Sequence, residues 1–131
     1  MRYIYQLKKN LKQTDKKGKI GFQEALNGIV FSVEGGNFRI MLLIGTLAVM
    51  VSAIVQIELI EWCLIILCIT IVLTAEAVNT AIELICDHVN PNYDNRIGKI
   101  KDIAAGAVLI SSIGAAAIGT MILGPYILSL L

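Results

Sequence analysis

Four polar side chains recur at regular intervals inside a hydrophobic stretch near the middle of the sequence. They are Glu76, Asn79, Glu83 and Asp87, separated by 3, 4 and 4 residues. On an α-helix these intervals place all four side chains on one stripe. A carboxylate in hydrocarbon costs about 2.5–3.5 kcal/mol on insertion scales, so acids in membrane segments usually have a function. Several acids on one stripe can bind a cation or relay protons.

The rest of the sequence is typical of a membrane protein. Of 131 residues, 56% are hydrophobic, and the mean hydropathy is +0.76. Residues 40–57, 62–75 and 103–131 carry no charge, and the apolar pattern of the second run continues to Cys86. A membrane-spanning helix needs about 20 mostly apolar residues. We therefore predict an all-α membrane protein with transmembrane helices at about 38–57, 61–87 and 101–129.

The segment before the first hydrophobic run is polar and basic. Residues 1–19 form a lysine-rich arm, for which contact with anionic lipid is the simplest expectation. From residue 20 apolar residues such as Phe22, Leu26 and Ile29 recur every three or four positions. This period predicts an amphipathic helix at about 20–34 that lies in the membrane interface. We expect residues 20–131 to form one membrane domain.

The distribution of positive charge predicts the orientation. All 11 Lys and Arg residues lie either at or before Arg39 or between the second and third runs. With three spans these two regions share a face, and the positive-inside rule makes that face cytoplasmic. The N-terminus is then inside and the C-terminus outside. Glu76 would lie near the inner hydrocarbon boundary, and Glu83 about 10 Å further on, among the cytoplasmic headgroups.

The motifs exclude several kinds of chemistry. The sequence has neither a P-loop nor a glycine-rich dinucleotide motif. The one histidine, His88, has no serine at a recognisable spacing, and the three cysteines lack the spacing of a zinc site. Carboxylates suit Mg²⁺, which takes one or two of them and completes its shell with water and phosphate oxygens. With Lys101 to neutralise phosphate and a deeper carboxylate as general base, these are the components of phosphoryl transfer.

Other interpretations of the same residues remain open at this stage. A small proton-coupled transporter could use one membrane glutamate, but it has no use for Lys101 and Asp102. A membrane-permeabilising or scaffold protein leaves the acid stripe unexplained. Glu83 and Asp87 could also be solvated acids at headgroup level, and Lys101 could only anchor the topology. The appearance of labelled phosphate in lipid would separate a kinase from these alternatives.

The polar residues carry a resemblance to a known family. The run AEAVNTAIE from Ala75 to Glu83, then Asp87, then KDIAAGAV from Lys101, resembles the prokaryotic diacylglycerol kinase and undecaprenol kinase family. The resemblance covers about residues 20–128. It implies a homotrimer in the bacterial inner membrane, with a surface helix and three transmembrane helices per subunit. It also implies transfer of the γ-phosphoryl group of ATP to a lipid alcohol with Mg²⁺, and no nucleic-acid partner.

The resemblance implies roles for individual residues. Glu76 matches the general base, and Glu34 and Glu83 match the metal ligands, although Glu34 is one residue further from the Phe-Arg pair than is usual. The implied ATP contacts are Phe22, Glu34, Glu83, Asn92, Tyr93, Asp94, Lys101 and Asp102. The implied lipid-substrate contacts are Glu76, Asn79 and Ala105. The run from Lys101 resembles undecaprenol kinases more than diacylglycerol kinases, but apolar side chains do not reveal the acceptor's chain length.

Overall fold

The protein is almost entirely helical in the part that the computed structural model describes, residues 21–90 and 94–130. Residues 21–34 form helix α1, followed by α2 (Gly36–Val55), α3 (Leu59–Val89) and α4 (Asn95–Leu128). No β-strand occurs within those two ranges. The predicted all-α class is confirmed, and the predictions for the arm at 1–19, for Asn92 and for Tyr93 lie outside the described residues.

Helices α2, α3 and α4 are each long and apolar enough to cross a membrane. They contain 20, 31 and 34 residues, which correspond to about 30, 46 and 51 Å. Because a hydrocarbon core is about 30 Å thick, α3 and α4 either tilt or extend beyond it. The expected number of membrane-spanning helices is confirmed.

Two helices begin earlier than their hydrophobic runs because polar residues cap them. Glu58 and Glu61 form a capping box at the start of α3, in which the Glu58 N–H donates to Glu61 Oε2 at 2.9 Å. At the start of α4 the Arg96 N–H donates to Asp94 Oδ1 at 2.7 Å. Helix α4 therefore starts at Asn95, six residues before the predicted boundary, and its first turns carry solvated charges.

The three long helices pack as an antiparallel bundle, in which α3 and α4 share the most extensive contact. We call the end that contains Gly36, Val89 and Asn95 the site end, and the opposite end the far end. Helices α2 and α3 meet closely at Gly45, where an added Cβ would lie 3.1 Å from Ile69 Cγ2. A small residue at such a crossing lets two backbones approach.

A small apolar cluster and one polar contact hold the far end together. Ile57, Ile65 and Ile122 are buried against one another. Beside them the Tyr126 hydroxyl donates to Glu61 Oε2 at 2.8 Å, so the end of α4 is tied to the first turn of α3. The same carboxylate oxygen also accepts the capping bond from Glu58.

Most apolar side chains on the bundle are exposed in the single chain. The exposed set includes large residues on every long helix, and on α1 it includes Phe22, Leu26, Ile29, Val30 and Phe31. Soluble monomers rarely expose continuous apolar surface on this scale. Lipid must cover much of it, which agrees with a membrane protein. The homotrimer stays a prediction, because these faces fit lipid as well as a second copy.

Candidate active site

The polar stripe predicted from the sequence lies on α3 and runs toward the site end. Glu76 and Asn79 are each only 3% exposed, whereas Glu83 is half-buried and Asp87 is exposed. Helix α3 is continuous through all four positions, so the predicted common face is preserved. The stripe therefore leads from the interior of the bundle to its surface over about 17 Å.

One hydrogen bond organises the middle of the stripe. Asn79 Nδ2 donates to Glu83 Oε1 at 3.1 Å, which fixes the orientation of both side chains. Asn79 Oδ1 and Glu76 Oε2 are buried and accept no hydrogen bond from the described residues. Buried polar atoms without a partner are rare in proteins, because leaving them unpaired is costly. These two oxygens are available to a hydrogen-bond donor brought by a ligand.

The stripe forms the polar end of a long groove between α2, α3 and α4. The groove has a volume of about 900 Å³, and Glu76, Asn79 and Glu83 line it together with Asn37 and Ala105. Beyond these residues its walls are mostly apolar or small side chains. Because the charged and amide groups are confined to one end, the groove suits a molecule with a polar head and a hydrocarbon body.

A cationic side chain lies beside the polar end. Lys101 Nζ donates to Asp87 Oδ1, which joins α4 to the last turns of α3. The Lys101 side chain is 33% exposed and that of Asp87 is 65% exposed. Exposed ion pairs are weak, so a phosphate can replace the Asp87 carboxylate as the partner of Lys101. The adjacent Asp102 is exposed.

Glu34 is exposed at the last position of α1 and does not line the groove. Its neighbour Gly35 approaches α3, since an added Cβ would lie 3.9 Å from Thr80 Oγ1. Thr80 itself donates to the Glu76 carbonyl at 3.0 Å and lies three residues before Glu83. The junction of α1 and α2 therefore reaches α3 at the level of the stripe. This brings Glu34 to the same end of the bundle as Glu83.

The donor set fits Mg²⁺ only as a partner of a bound phosphate. Among the described residues no three His, Cys, Asp or Glu side chains lie close enough together to hold a metal ion by themselves. Mg²⁺, however, usually takes one or two protein carboxylates and fills its shell with water and phosphate oxygens. Glu83, held by Asn79, and Glu34 at the same end of the bundle are the two carboxylates predicted for this role, and that role stays a prediction.

The remaining predicted residues occupy varied positions. Phe22 is 69% exposed on α1 and does not line the groove, whereas Ala105 does. The Asp94 carboxylate is already engaged as the cap of α4. Sequence reasoning missed Asn37, which lines the polar end of the groove. Its position as the polar residue directly after Gly35 and Gly36, where the first span begins, is the signal that could have identified it.

These features define a class of protein: an integral membrane protein with a largely apolar groove that ends beside a buried carboxylate. The family model described as prokaryotic diacylglycerol kinase matches residues 23–123. The chain is similar to a protein named diacylglycerol kinase from Synechocystis sp., with 32% identity over 127 residues, 95% of this chain and 73% of that protein. The chain belongs to the prokaryotic diacylglycerol kinase family. It is an ATP-dependent membrane lipid kinase, which confirms the resemblance seen in the sequence.

Proposed function

We propose that this kinase phosphorylates the hydroxyl group of undecaprenol at the cytoplasmic face of the bacterial cell membrane. The observation that carries the proposed site is the pair of buried acceptors, Glu76 Oε2 and Asn79 Oδ1, at the polar end of an apolar groove. A lipid alcohol whose chain lies in the groove brings a hydroxyl donor to these oxygens. A transporter would not need an apolar groove that ends in a base.

Glu76 acts as the general base in this scheme. Its free Oε2 takes the proton of the acceptor hydroxyl, and the lipid oxygen then attacks the γ-phosphorus of ATP. The bond from the γ-phosphorus to the bridging oxygen breaks, and ADP leaves. Asn79 orients the acceptor through Oδ1 while its Nδ2 holds Glu83. With the hydrocarbon chain of the lipid in the groove, water, which would otherwise compete as the acceptor, is kept away from the buried Glu76.

The nucleotide lies at the exposed part of the site end. Glu34 and Glu83 would hold Mg²⁺, which supplies neutralisation of the phosphate charge when it is bound. Lys101 leaves Asp87 and pairs with the phosphates, and the exposed Asp102 follows it directly on α4. Asn92, Tyr93 and Asp94 belong to the adjacent connection, and Phe22 lies on α1, where an exposed aromatic ring can contact the adenine.

The orientation and the assembly belong to the same proposal. Arg39, Arg96, Lys99 and Lys101 all lie at the site end, and the positive-inside rule puts that end in the cytoplasm, where ATP is available. The N-terminus is then inside and the C-terminus outside. We include a homotrimer in the proposal because the exposure of Glu34 leaves room for a neighbouring subunit to complete the nucleotide site.

The acceptor is proposed from the resemblance of the KDIAAGAV run and of the closing Gly124-Pro125-Tyr126 segment to undecaprenol kinases. Diacylglycerol is the second candidate, because the Synechocystis relative carries the name diacylglycerol kinase. Both acceptors have one free hydroxyl on a hydrocarbon body, so both fit the chemistry of the groove. Side-by-side assay of the purified protein with the two lipids decides between them.

The decisive experiment measures transfer of labelled γ-phosphate from ATP to lipid that can be extracted into organic solvent. We expect Glu76→Gln to lower turnover about 10²–10⁴-fold, because the amide cannot take the hydroxyl proton. Glu24→Gln is the matched control, since Glu24 is an exposed glutamate on α1. Turnover of Glu76→Gln near that of the unmodified protein would remove Glu76 as the base. No labelled lipid with either acceptor would contradict the proposed acceptors themselves.

A further inference from the structure

The groove is much longer than an acceptor hydroxyl and its first few carbons require. Its lining on α4 runs from Ala105 to Ile127, which is about 33 Å. On α3 it runs from Glu83 to Ile65, which is about 27 Å. A hydrocarbon core is about 30 Å thick, so one leaflet is about half of that. The groove therefore continues from the site end into the half of the bundle that lies in the other leaflet.

The two halves of the groove have different walls. Helix α2 lines it only as far as Ala48, so the half toward the far end lies along α3 and α4. In that half the α4 wall includes Ala116, Gly119 and Gly124. An added Cβ at Gly119 or at Gly124 would meet no heavy atom within 4 Å. The glycines are therefore not required for close packing within the chain, and their small size leaves open space in the groove.

The opposite end of the groove identifies the kind of molecule that fills this space. Glu76 and Asn79 are 97% buried and line the groove, and each has an acceptor oxygen with no partner among the described residues. These oxygens can accept a hydrogen bond from a hydroxyl group. The apolar walls beyond them can contact the hydrocarbon chain attached to that hydroxyl. A helix of a second copy could also cover the far half, but it would not account for the two oxygens.

We propose that Gly119 and Gly124 determine the chain length of the acceptor. These glycines keep the far half of the groove open, so a long hydrocarbon chain can continue past the middle of the membrane. A shorter hydrocarbon chain ends in the other half of the groove, which α2 also lines. The proposal rests on the proposed function, since it concerns the lipid alcohol that Glu76 deprotonates. It adds a specificity role for α4 residues that lie far from the reacting atoms.

The test compares two isoprenoid alcohols with the same hydroxyl end, a long polyprenol and one whose chain ends within a single leaflet. The full-length protein is reconstituted, and kcat/KM is measured for each alcohol. We expect Gly119→Leu to lower kcat/KM for the long polyprenol at least about tenfold, because the leucine overfills the groove. The value for the short alcohol and the KM for ATP stay unchanged.

Gly114→Leu is the matched control. Gly114 is a glycine on the same helix, an added Cβ there meets no heavy atom within 4 Å, and it does not line the groove. We expect this variant to treat both alcohols as the unmodified protein does. The same selective loss in Gly114→Leu would overturn the proposal, because it would come from the outer surface of α4.

Other outcomes also decide the question. An equal loss for both alcohols in Gly119→Leu would mean that the far half of the groove serves the fold or receives a helix of a second copy. If Gly119→Leu does not fold, Ala116→Leu adds bulk to the same wall, and it must show the selective loss for the proposal to stand. An unmodified protein that phosphorylates both alcohols, with variants that do not discriminate, would refute the chain-length role alone. An unmodified protein inactive on both would contradict the proposed function instead.

Discussion

Asn79 Nδ2 lies 3.1 Å from Glu83 Oε1 and joins the buried part of the α3 stripe to its half-exposed part. The bond lies between a residue that faces the acceptor groove and a carboxylate that we propose as a metal ligand. Asn79 thus orients Glu83 with its amide nitrogen, while its buried amide oxygen has no partner among the described residues. In the reaction that we propose, this one side chain would contact the acceptor and also orient the metal ligand.

We predict that Asn79→Ala weakens Mg²⁺ binding about 10–100-fold. Removing a group that orients a metal-ligating carboxylate has an effect of this size. The measurement is the Mg²⁺ concentration that gives half-maximal lipid phosphorylation. Thr70→Ala is the control, because the Thr70 hydroxyl on α3 donates to the Ile66 carbonyl and Thr70 does not line the groove. An unchanged Mg²⁺ requirement in Asn79→Ala would show that Mg²⁺ binding does not depend on the hydrogen bond from Asn79 to Glu83.

We predict that Glu83→Gln raises the Mg²⁺ requirement at least about tenfold, whereas Asp87→Asn changes it little. The glutamine keeps an oxygen that can accept from Asn79, so the local structure is retained while the charge is lost. Both residues lie on the same stripe, but Asp87 is exposed and pairs with Lys101. Isothermal titration with MgATP measures the effect on binding directly. Equal shifts for the two variants would contradict the assignment of the metal site to Glu83.

We predict that Lys101→Met raises the KM for ATP more than Asp87→Asn does. If Lys101 only held α3 against α4, the two variants would break the same ion pair and behave alike. If Lys101 binds phosphate, removing Asp87 leaves that cation available, and removing Lys101 does not. The measurement is the KM for ATP at saturating lipid. Matching values for the two variants would reduce Lys101 to a structural role.

We predict that Gly45→Leu destabilises the bundle by about 1–3 kcal/mol, the usual range for overpacking. An added Cβ at Gly45 would lie 3.1 Å from Ile69 Cγ2, so a leucine must push α2 away from α3. Reversible unfolding in detergent, followed by circular dichroism, measures the change. Gly114→Leu provides the comparison, since its side chain enters open space and should leave the unfolding transition in place.

We predict that Tyr126→Phe lowers the Tm by a few degrees without changing the turnover of the folded enzyme. The hydroxyl donates to Glu61 Oε2 at the far end, and Tyr126 does not line the groove. A double-mutant cycle with Glu61→Gln isolates the contact from the capping box that shares the same carboxylate. Additive effects of the two substitutions would mean that the hydrogen bond does not contribute.

Features that depend on residues close together in the sequence were predicted correctly. The apolar runs located α2, α3 and α4, and the 3, 4, 4 spacing located the stripe on one face of α3. Helix α4 begins six residues before the span expected at about 101–129, because the Asp94 cap extends the helix beyond the hydrophobic run. The position of Asn37 in the groove lining was not predicted, because no local pattern relates the start of the first span to residues on α3 and α4.

The amino-acid sequence by itself determined the class of protein, the positions of its helices and the chemical character of its site, because these depend on hydropathy and on spacing within single helices. Only the tertiary structure decided that Ala105 and Asn37 face the stripe, that Lys101 pairs with Asp87, and that an open groove leads away from Glu76. These relations depend on how each helix is rotated about its own axis. In a membrane bundle nearly every helix face is apolar, so the hydrophobic pattern does not specify that rotation. Close packing between helices, as at Gly45, specifies it instead.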